Sequence, residues 1–321
     1  GDQSSVDALK ADNFNIIEPI NKENFKSSKF TIELLKKLHC DNKKFIILDH
    51  GGYFAEVIHS IVDAFKENLV GIAEFTYNGQ KRYETFSNNL SIPIITCARS
   101  PLKQPADKEA GESIAHLIDH VLRITWGIKS KTKNKVKIGI IGYGILGGAV
   151  AKSLRARGAR NILIADNNYL QLLSAVEQRF EISSTECIIK NCNLIVSATS
   201  NKGIAPEEYV NMRDGAFIAT VTSPDDELDL DHLIDNQILI KTNETPLVTT
   251  FHVNNTEKEI HLIAEGNSAN TLIRAGIGSP SLFLIEAEYL VSILLLITSL
   301  ETLKPNLQEV SSDIRSKITS L

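Results

Sequence analysis

The sequence predicts an α/β protein of two domains, the second inserted into the first. Three observations predict it. Between residues 45 and 126, short apolar runs alternate with helical patterns. A second series of the same kind starts near residue 136, directly upstream of a glycine-rich turn. After residue 279 a long apolar pattern of helical length returns. Strands alternating with helices build parallel sheets covered on both faces.

The bulk properties agree with a soluble globular chain. At 321 residues there is length for two domains, and 43% apolar with 23% charged residues is an ordinary balance. A net charge of −5 argues against a general nucleic-acid binder, which carries a basic face. The four cysteines, Cys40, Cys97, Cys187 and Cys192, have no CxxC or Cys/His spacing, so no metal site is expected. With nothing secretory at the start, they read as reduced thiols of a cytoplasmic protein. Gly1 stands where a methionine would, which suggests a shortened start. The most apolar run, "YLVSILLLITSL" (289–300), is shorter than the ~20 residues of a membrane span and reads as a core helix.

In chain order, an amphipathic helix is expected around Phe30–His39. "KFIIL" reads as a strand, "FAEVIHSIVDAF" as a helix, and "LVGIAEF" and "SIPIIT" as strands. Ile114, Leu117, Ile118, Val121 and Leu122 recur at helical spacing within a helix over 110–126. Lysines at alternate positions from Lys129 to Lys137 read as a solvated linker. Further strands are expected at 193–199, 216–221 and 237–241, and a helix over Leu282–Thr302 closes the chain by packing back on the first domain. The domains are thus 1–125, 126–278, and a returning helical segment, 279–321.

The second domain opens with "VKIGIIGYGILGGAVAKSL". Gly142, Gly144 and Gly147 form GxGxxG between a strand and a helix. The first glycine permits the tight turn, the second lets a pyrophosphate approach the backbone, and the third lets helix and strand pack closely. Ile145 and Leu146 fill the variable positions. The next strand, "NILIA", ends at Asp166, 19 residues after Gly147. An acid there accepts hydrogen bonds from a ribose and repels a 2′-phosphate, so the expected cofactor is NAD and the domain a Rossmann domain. Arg160, which could serve a phosphate, precedes that strand.

Beyond the fingerprint, the chain resembles the S-adenosylhomocysteine hydrolase (adenosylhomocysteinase) family from about Phe45 to about Leu290, as a divergent, N-terminally shortened member. The family has Asp-Asp-Gly-Gly where this chain has "DHGG" (49–52), and Gly-Ile-x-Glu-Glu-Thr-Thr-Thr-Gly where it has "GIAEFTYNG" (71–79). A Pro-Ala-Ile-Asn segment with a catalytic lysine and, four residues on, an aspartate matches "PIITCARSPLKQPAD" (93–107). "SPDDELDLDHL" (223–233), "HLIAEGNSAN" (261–270) and "GSPS" (278–281) match His-Phe-Asp-x-Glu-Ile-Asp, Leu-Leu-Ala-Glu-Gly-Arg-x-x-Asn and Gly-His-Pro-Ser.

The resemblance implies redox-assisted elimination on tightly bound NAD, with Lys103 and Asp107 handling a hydroxyl proton. It also implies NAD contacts from Gly142, Gly144, Gly147, Asp166, Thr76 and Asn270, and the cofactor site expected here includes Ile145, Leu146 and Thr199 as well. His50 and Asp49 are further catalytic candidates. Histidine titrates near neutrality, although at position 50 it can equally cap the following turn. His232, His252 and His261 lack metal spacing and read as structural.

The departures are as informative. The second acid of each pair becomes His50 and Phe75, and two family histidines become Ser223 and Ser279. An asparagine before the lysine becomes Ala98, and one after the aspartate becomes Lys108. The adenine-clamping N-terminal region and the Lys/Tyr tail have no counterpart in this sequence. The expected function is therefore NAD-dependent oxidation of a secondary hydroxyl on a small polar, nucleoside- or sugar-like substrate, without efficient S-adenosylhomocysteine hydrolysis. Two alternatives stand beside it: a degenerate NAD-binding regulatory protein, and a plain hydroxy- or amino-acid dehydrogenase. No nucleic-acid or membrane partner is expected, and a homo-oligomer (dimer or tetramer) is.

Overall fold

The computed structural model describes residues 3–17, 22–38, 43–127, 135–268, 279–299 and 302–320. Elements are numbered in chain order. Two compact units divide the chain, one of residues 1–102 and 284–321 and one of residues 103–283.

The first unit holds helices α1 (Gln3–Ala11), α2 (Ser28–Leu38), α3 (Ile58–Ala64) and α4 (Tyr77–Phe86), and most of α11 (Pro280–Thr298), followed by α12 (Ser312–Thr319). Its sheet contains β1 (Phe45–Asp49), β2 (Leu69–Glu74), β3 (Pro93–Thr96) and β12 (Asn306–Glu309) in the order β1-β2-β3-β12, all parallel. One face is covered by Leu35, Ile58, Ile61, Phe65 and Tyr83, and the other by Leu296, Tyr289 and Ile314. The expected strands are present, with α4 as an additional crossover. The chain is not closed by the apolar helix. β12 pairs with β3 beyond it, Asn306 opposite Pro93 and Glu309 opposite Thr96, and α12 follows.

α11 is not an ordinary core helix either. Ile285, Glu288, Ser292 and Leu296 are buried, whereas Phe283, Leu290, Leu294 and Ile297 are exposed. By length and composition alone, its 19 residues meet the requirement for crossing a membrane. Its buried face, however, carries Glu288, which accepts from Arg315 Nε at 2.8 Å and from the Ser100 hydroxyl. These bonds tie α11 to α12 and to the turn after β3.

The second unit starts with α5 (Gln104–Trp126) and β4 (Lys137–Ile141), α6 (Ile145–Ala156), β5 (Asn161–Ala165) and α7 (Tyr169–Glu177). It continues with β6 (Glu181–Ile182), α8 (Thr185–Asn191), β7 (Leu194–Ser197), β8 (Ala216–Thr220), α9 (Pro224–Glu227) and α10 (Leu230–Asp235). β9 (Leu239–Glu244), β10 (Val248–Val253) and β11 (Glu259–Ile263) complete it. The sheet order is β6-β5-β4-β7-β8-β11-β10-β9, with β10 antiparallel to both neighbours. The parallel part has the strand order of a Rossmann sheet, so the order reverses between β4 and β7, where ligands bind outside the strand ends.

α5 starts six residues before the expected position and belongs to this unit rather than to the first. Ile114, Leu117, Ile118 and Val121 pack with Ile138, Ile140, Val150 and Leu154 in one core. Pro105 lies in its first turn, where a missing N–H costs nothing because first-turn amides lack helical partners anyway. Most of the expected lysine linker, 128–134, lies outside the described residues.

Candidate active site

The glycine turn sits at the sheet's reversal point. Gly142 has φ of +97°, and a Cβ there would lie 2.3 Å from the Ala198 carbonyl oxygen on the neighbouring β7 loop. A Cβ on Gly147 would lie 2.1 Å from the Gly142 carbonyl oxygen. A Cβ on Gly144 would meet nothing within 4 Å. The first and third glycines are thus required by the protein's own packing, whereas the second leaves open space at the N-terminus of α6. That terminus has no side-chain cap, so its first-turn amides and the positive end of the helix dipole face a space suited to a pyrophosphate. Ile145 is exposed there, and Leu146 leans on the core.

Asp166 follows β5 directly. Its Oδ2 accepts from the Tyr143 amide at 2.6 Å, and its Oδ1 accepts from the Asn168 amide at 2.7 Å. The carboxylate is thereby fixed beside the turn, where the sequence placed a ribose-binding acid. These residues fit NAD.

Sequence reasoning missed Glu227, which is fully buried at the C-terminal end of α9. Its Oε2 accepts from Ser197 Oγ at 2.7 Å, the Thr199 amide at 3.0 Å and Thr199 Oγ1 at 3.3 Å. Its Oε1 accepts from the Ser200 amide and Thr222 Oγ1, both at 3.0 Å. Glu227 therefore shapes the loop after β7 that carries Thr199 and adjoins Gly142. The signal was present in "SPDDEL", where this glutamate matches the family motif.

Lys103 ends a short 3₁₀ turn and is the N-cap residue of α5, and Asp107 lies in that helix's first turn. The pair therefore stands on a helix start. Burial pushes the Asp107 carboxyl above its usual range, and the Lys103 ammonium pulls it back down. The two groups consequently interact electrostatically in partly dry surroundings.

Asp49, His50 and Thr76 belong to the first unit. Asp49 is buried and accepts from the Tyr53 and Phe54 amides, at 3.2 and 3.3 Å, and from the Tyr83 hydroxyl at 2.7 Å. Glu74, also buried, accepts from the amides of Gly51 (3.2 Å), Gly52 (3.0 Å) and Thr76 (2.6 Å), and from Thr76 Oγ1 (2.7 Å). Thr76 in turn caps α4 by accepting from the Gly79 amide at 3.0 Å. Both acids thus hold the turns after β1 and β2. His50 is exposed and stacks on Phe75, centroids 5.0 Å apart and planes at 15°.

Burial, followed by the neighbouring Asp49 charge, pushes Glu74 up to about 7, against the pull of its donors. The folded state therefore holds a proton that the unfolded chain releases near pH 4.5, so stability falls as pH rises from about 4.5 to about 7. Glu74 contributes on the order of 3 kcal/mol to this decline. Glu74→Gln should remove that part of the slope in denaturation curves recorded across this window. It should also lower stability at pH 5 by about 1–3 kcal/mol, because an amide cannot accept from every donor around it. An unchanged slope would show that Glu74 keeps its charge.

Both serines that replace family histidines make structural bonds. Ser223 caps α9, accepting from the Asp226 amide at 3.3 Å and donating to the Asp226 carboxylate at 3.0 Å. Ser279 and Ser281 donate to Glu109, the second at 2.5 Å, and these two bonds hold the Glu109 carboxyl below its usual range. His261 contacts Phe217 with centroids 4.7 Å apart and lies 3.0 Å from Thr250 Oγ1, while burial lowers its pKa. Among the described residues, no group of three or more His, Cys, Asp or Glu side chains is arranged to hold a metal. Asn270 lies outside the described residues.

The model of the S-adenosyl-L-homocysteine hydrolase NAD binding domain matches residues 115–275, half of the chain. The chain belongs to the S-adenosyl-L-homocysteine hydrolase family. It is 28% identical over 253 residues to an adenosylhomocysteinase of Saccharolobus solfataricus, covering 78% of this chain and 57% of that protein. With an adenosylhomocysteinase of Archaeoglobus fulgidus it shares 26% over 234 residues, 72% of this chain and 56% of the relative. An S-inosyl-L-homocysteine hydrolase of Methanopyrus kandleri is 24% identical over 284 residues, 86% of this chain and 64% of the relative. The chain thus spans less than two thirds of the length of each of these hydrolases. As a member of this family it is an NAD-binding α/β protein.

Proposed function

We propose that this family member is an NAD-dependent enzyme that oxidises a secondary hydroxyl of a small polar, nucleoside- or sugar-like substrate. S-Adenosylhomocysteine is at most a poor substrate. NAD, when bound, supplies the hydride acceptor. Lys103 is the base that takes the hydroxyl proton on its Nζ, and Asp107 orients it. The supporting observation is the Lys103–Asp107 pair at the start of α5, partly withdrawn from water within the unit that carries the glycine turn. The first unit is the substrate domain and the second the cofactor domain, with Thr76 and Asn270 as further cofactor contacts. The enzyme is cytoplasmic and homo-oligomeric.

The poor hydrolysis follows from where the family's polar groups have gone. Ser223 and Ser279 stand in place of histidines and are engaged in capping bonds, accepting from the amides of Asp226 and Ser281. Asp49 and Glu74 are turned into their own loops. Those same bonds favour a second reading, a regulatory protein that retains NAD without turnover.

Lys103→Ala separates the two readings. The enzyme reading expects nicotinamide reduction by a panel of secondary alcohols to fall at least 100-fold, with NAD retention unchanged. Equal activity in the variant would remove Lys103 as base. No reduction by wild type with any alcohol, with NAD bound, would leave the regulatory reading. S-Adenosylhomocysteine cleavage as fast as that of the relatives would refute the altered substrate.

A further inference from the structure

α11 repeats every seven residues on the side turned away from its own sheet. Phe283, Leu290 and Ile297 stand seven apart, and Ala287 and Leu294 fill the positions between them. Apolar residues at alternating spacings of four and three form the seam of a helix pair, in which each side chain enters a hole of the facing helix. The buried positions, Ile285, Glu288, Ser292 and Leu296, lie on the opposite side of α11. The seam itself is bare, with Leu290 60% exposed, Leu294 55% and Ile297 62%. Glu288 fastens the buried side by accepting from Arg315 Nε at 2.8 Å, so α11 cannot roll over to bury the seam instead.

Charge and spacing select the occupant. α11 carries no Lys or Arg, and its one exposed charge is Glu286. A helix lying on an anionic lipid surface carries basic residues along its polar face, and this one does not. A facing helix suits it, because the repeat is the narrow one of a helix pair. We infer that the seam is a self-association surface, on which α11 of a second copy lies antiparallel about a two-fold axis near Ser292. Leu290 of each copy then meets Leu294 of the other, and Ala287 meets Ile297. Small thus faces large, and the same patch serves both copies. The antiparallel sense follows from Glu286. In a parallel pair the two carboxylates would stand side by side and repel, whereas the antiparallel pair keeps them about 18 Å apart along the axis. Covering the seam with the flanking Val291, Ile293 and Thr298 removes on the order of 1,000 Å² from water over both copies, the size at which an interface becomes specific. The seam gives the proposed homo-oligomer a surface and needs no part of the proposed oxidation.

Sedimentation velocity of the full chain over a dilution series tests this. Wild type should run at twice the chain mass and dissociate on dilution. Leu290→Glu should weaken the dimer at least about 100-fold, since the change enters each pair twice. Because Leu290 is exposed in the single chain, the variant should melt close to dissociated wild type. The double variant Leu290→Glu, Leu294→Lys should recover much of the loss, since the new acid of each copy then faces the new base of the other. In a parallel pair like charges would meet, so a loss that the double variant does not recover would overturn the antiparallel arrangement. An oligomer untouched by Leu290→Glu would overturn the seam alone. Wild type that stays monomeric at every concentration would overturn the seam and the homo-oligomer together. Monomeric wild type that floats with phosphatidylglycerol vesicles would make this face a lipid-binding one and end the self-association reading.

Discussion

Replacing Gly147 by alanine should abolish retention of NAD. The new methyl group would sit 2.1 Å from the Gly142 carbonyl oxygen, far inside contact distance, and that oxygen belongs to backbone that cannot rotate away. Either α6 moves off β4 or the Gly142 turn opens, and both shift the first-turn amides off the pyrophosphate. Affinity should fall at least about 100-fold, and overpacking should cost about 1–3 kcal/mol of stability. Gly144→Ala is the informative companion, because its Cβ meets nothing within 4 Å of the protein. That variant should melt close to wild type and still bind NAD weakly, since its methyl group takes up space that the phosphates need. Equilibrium titration with NAD and thermal melts of the three proteins decide the matter. Undiminished binding by Gly147→Ala would mean that the cofactor does not lie against this turn.

The glycine turn was legible because its chemistry is local. Three glycines and one acid within 25 residues carry the whole argument, and the structure puts them at the sheet's reversal point. The start of α5 was not legible because its helical spacing of apolar residues begins only at Ile114, whereas its first turn carries Pro105, which a first turn accommodates. β12 is "NLQE", with no apolar alternation of its own. It is a strand because β3, 213 positions earlier (306 against 93), offers its edge. The DHGG turn matches a family motif, but the direction of Asp49 was not readable. Only the fold reveals that its donors are Tyr83, Tyr53 and Phe54. Likewise Ser279 and Ser223 appeared in sequence as missing histidines, and in the structure they are capping residues.

Glu227→Ala should be the most destabilising single change in the cofactor unit. The carboxylate is fully buried and accepts from five donors drawn from the segments 197–200 and 222. Hydroxyls of Ser197, Thr199 and Thr222 can turn to other acceptors, but the amides of Thr199 and Ser200 are fixed by the backbone. Two stranded amides at about 1–3 kcal/mol each, with the cavity left by the side chain, put the loss near 3–5 kcal/mol. That corresponds to a melting point lower by about 6 °C or more. The loop that Glu227 shapes also carries Ala198, whose carbonyl bounds the Gly142 turn, so damage should reach the cofactor as well. Glu227→Gln tests this separately, since an amide keeps one accepting oxygen and the volume. It should lose only about 1–2 kcal/mol and remain folded, yet bind NAD several-fold more weakly. Should Glu227→Gln bind NAD as wild type does while Glu227→Ala unfolds, the residue supports the fold and not the site. If Glu227→Ala melted with wild type, the five donors would have found other acceptors, and the loop would owe its shape to something else.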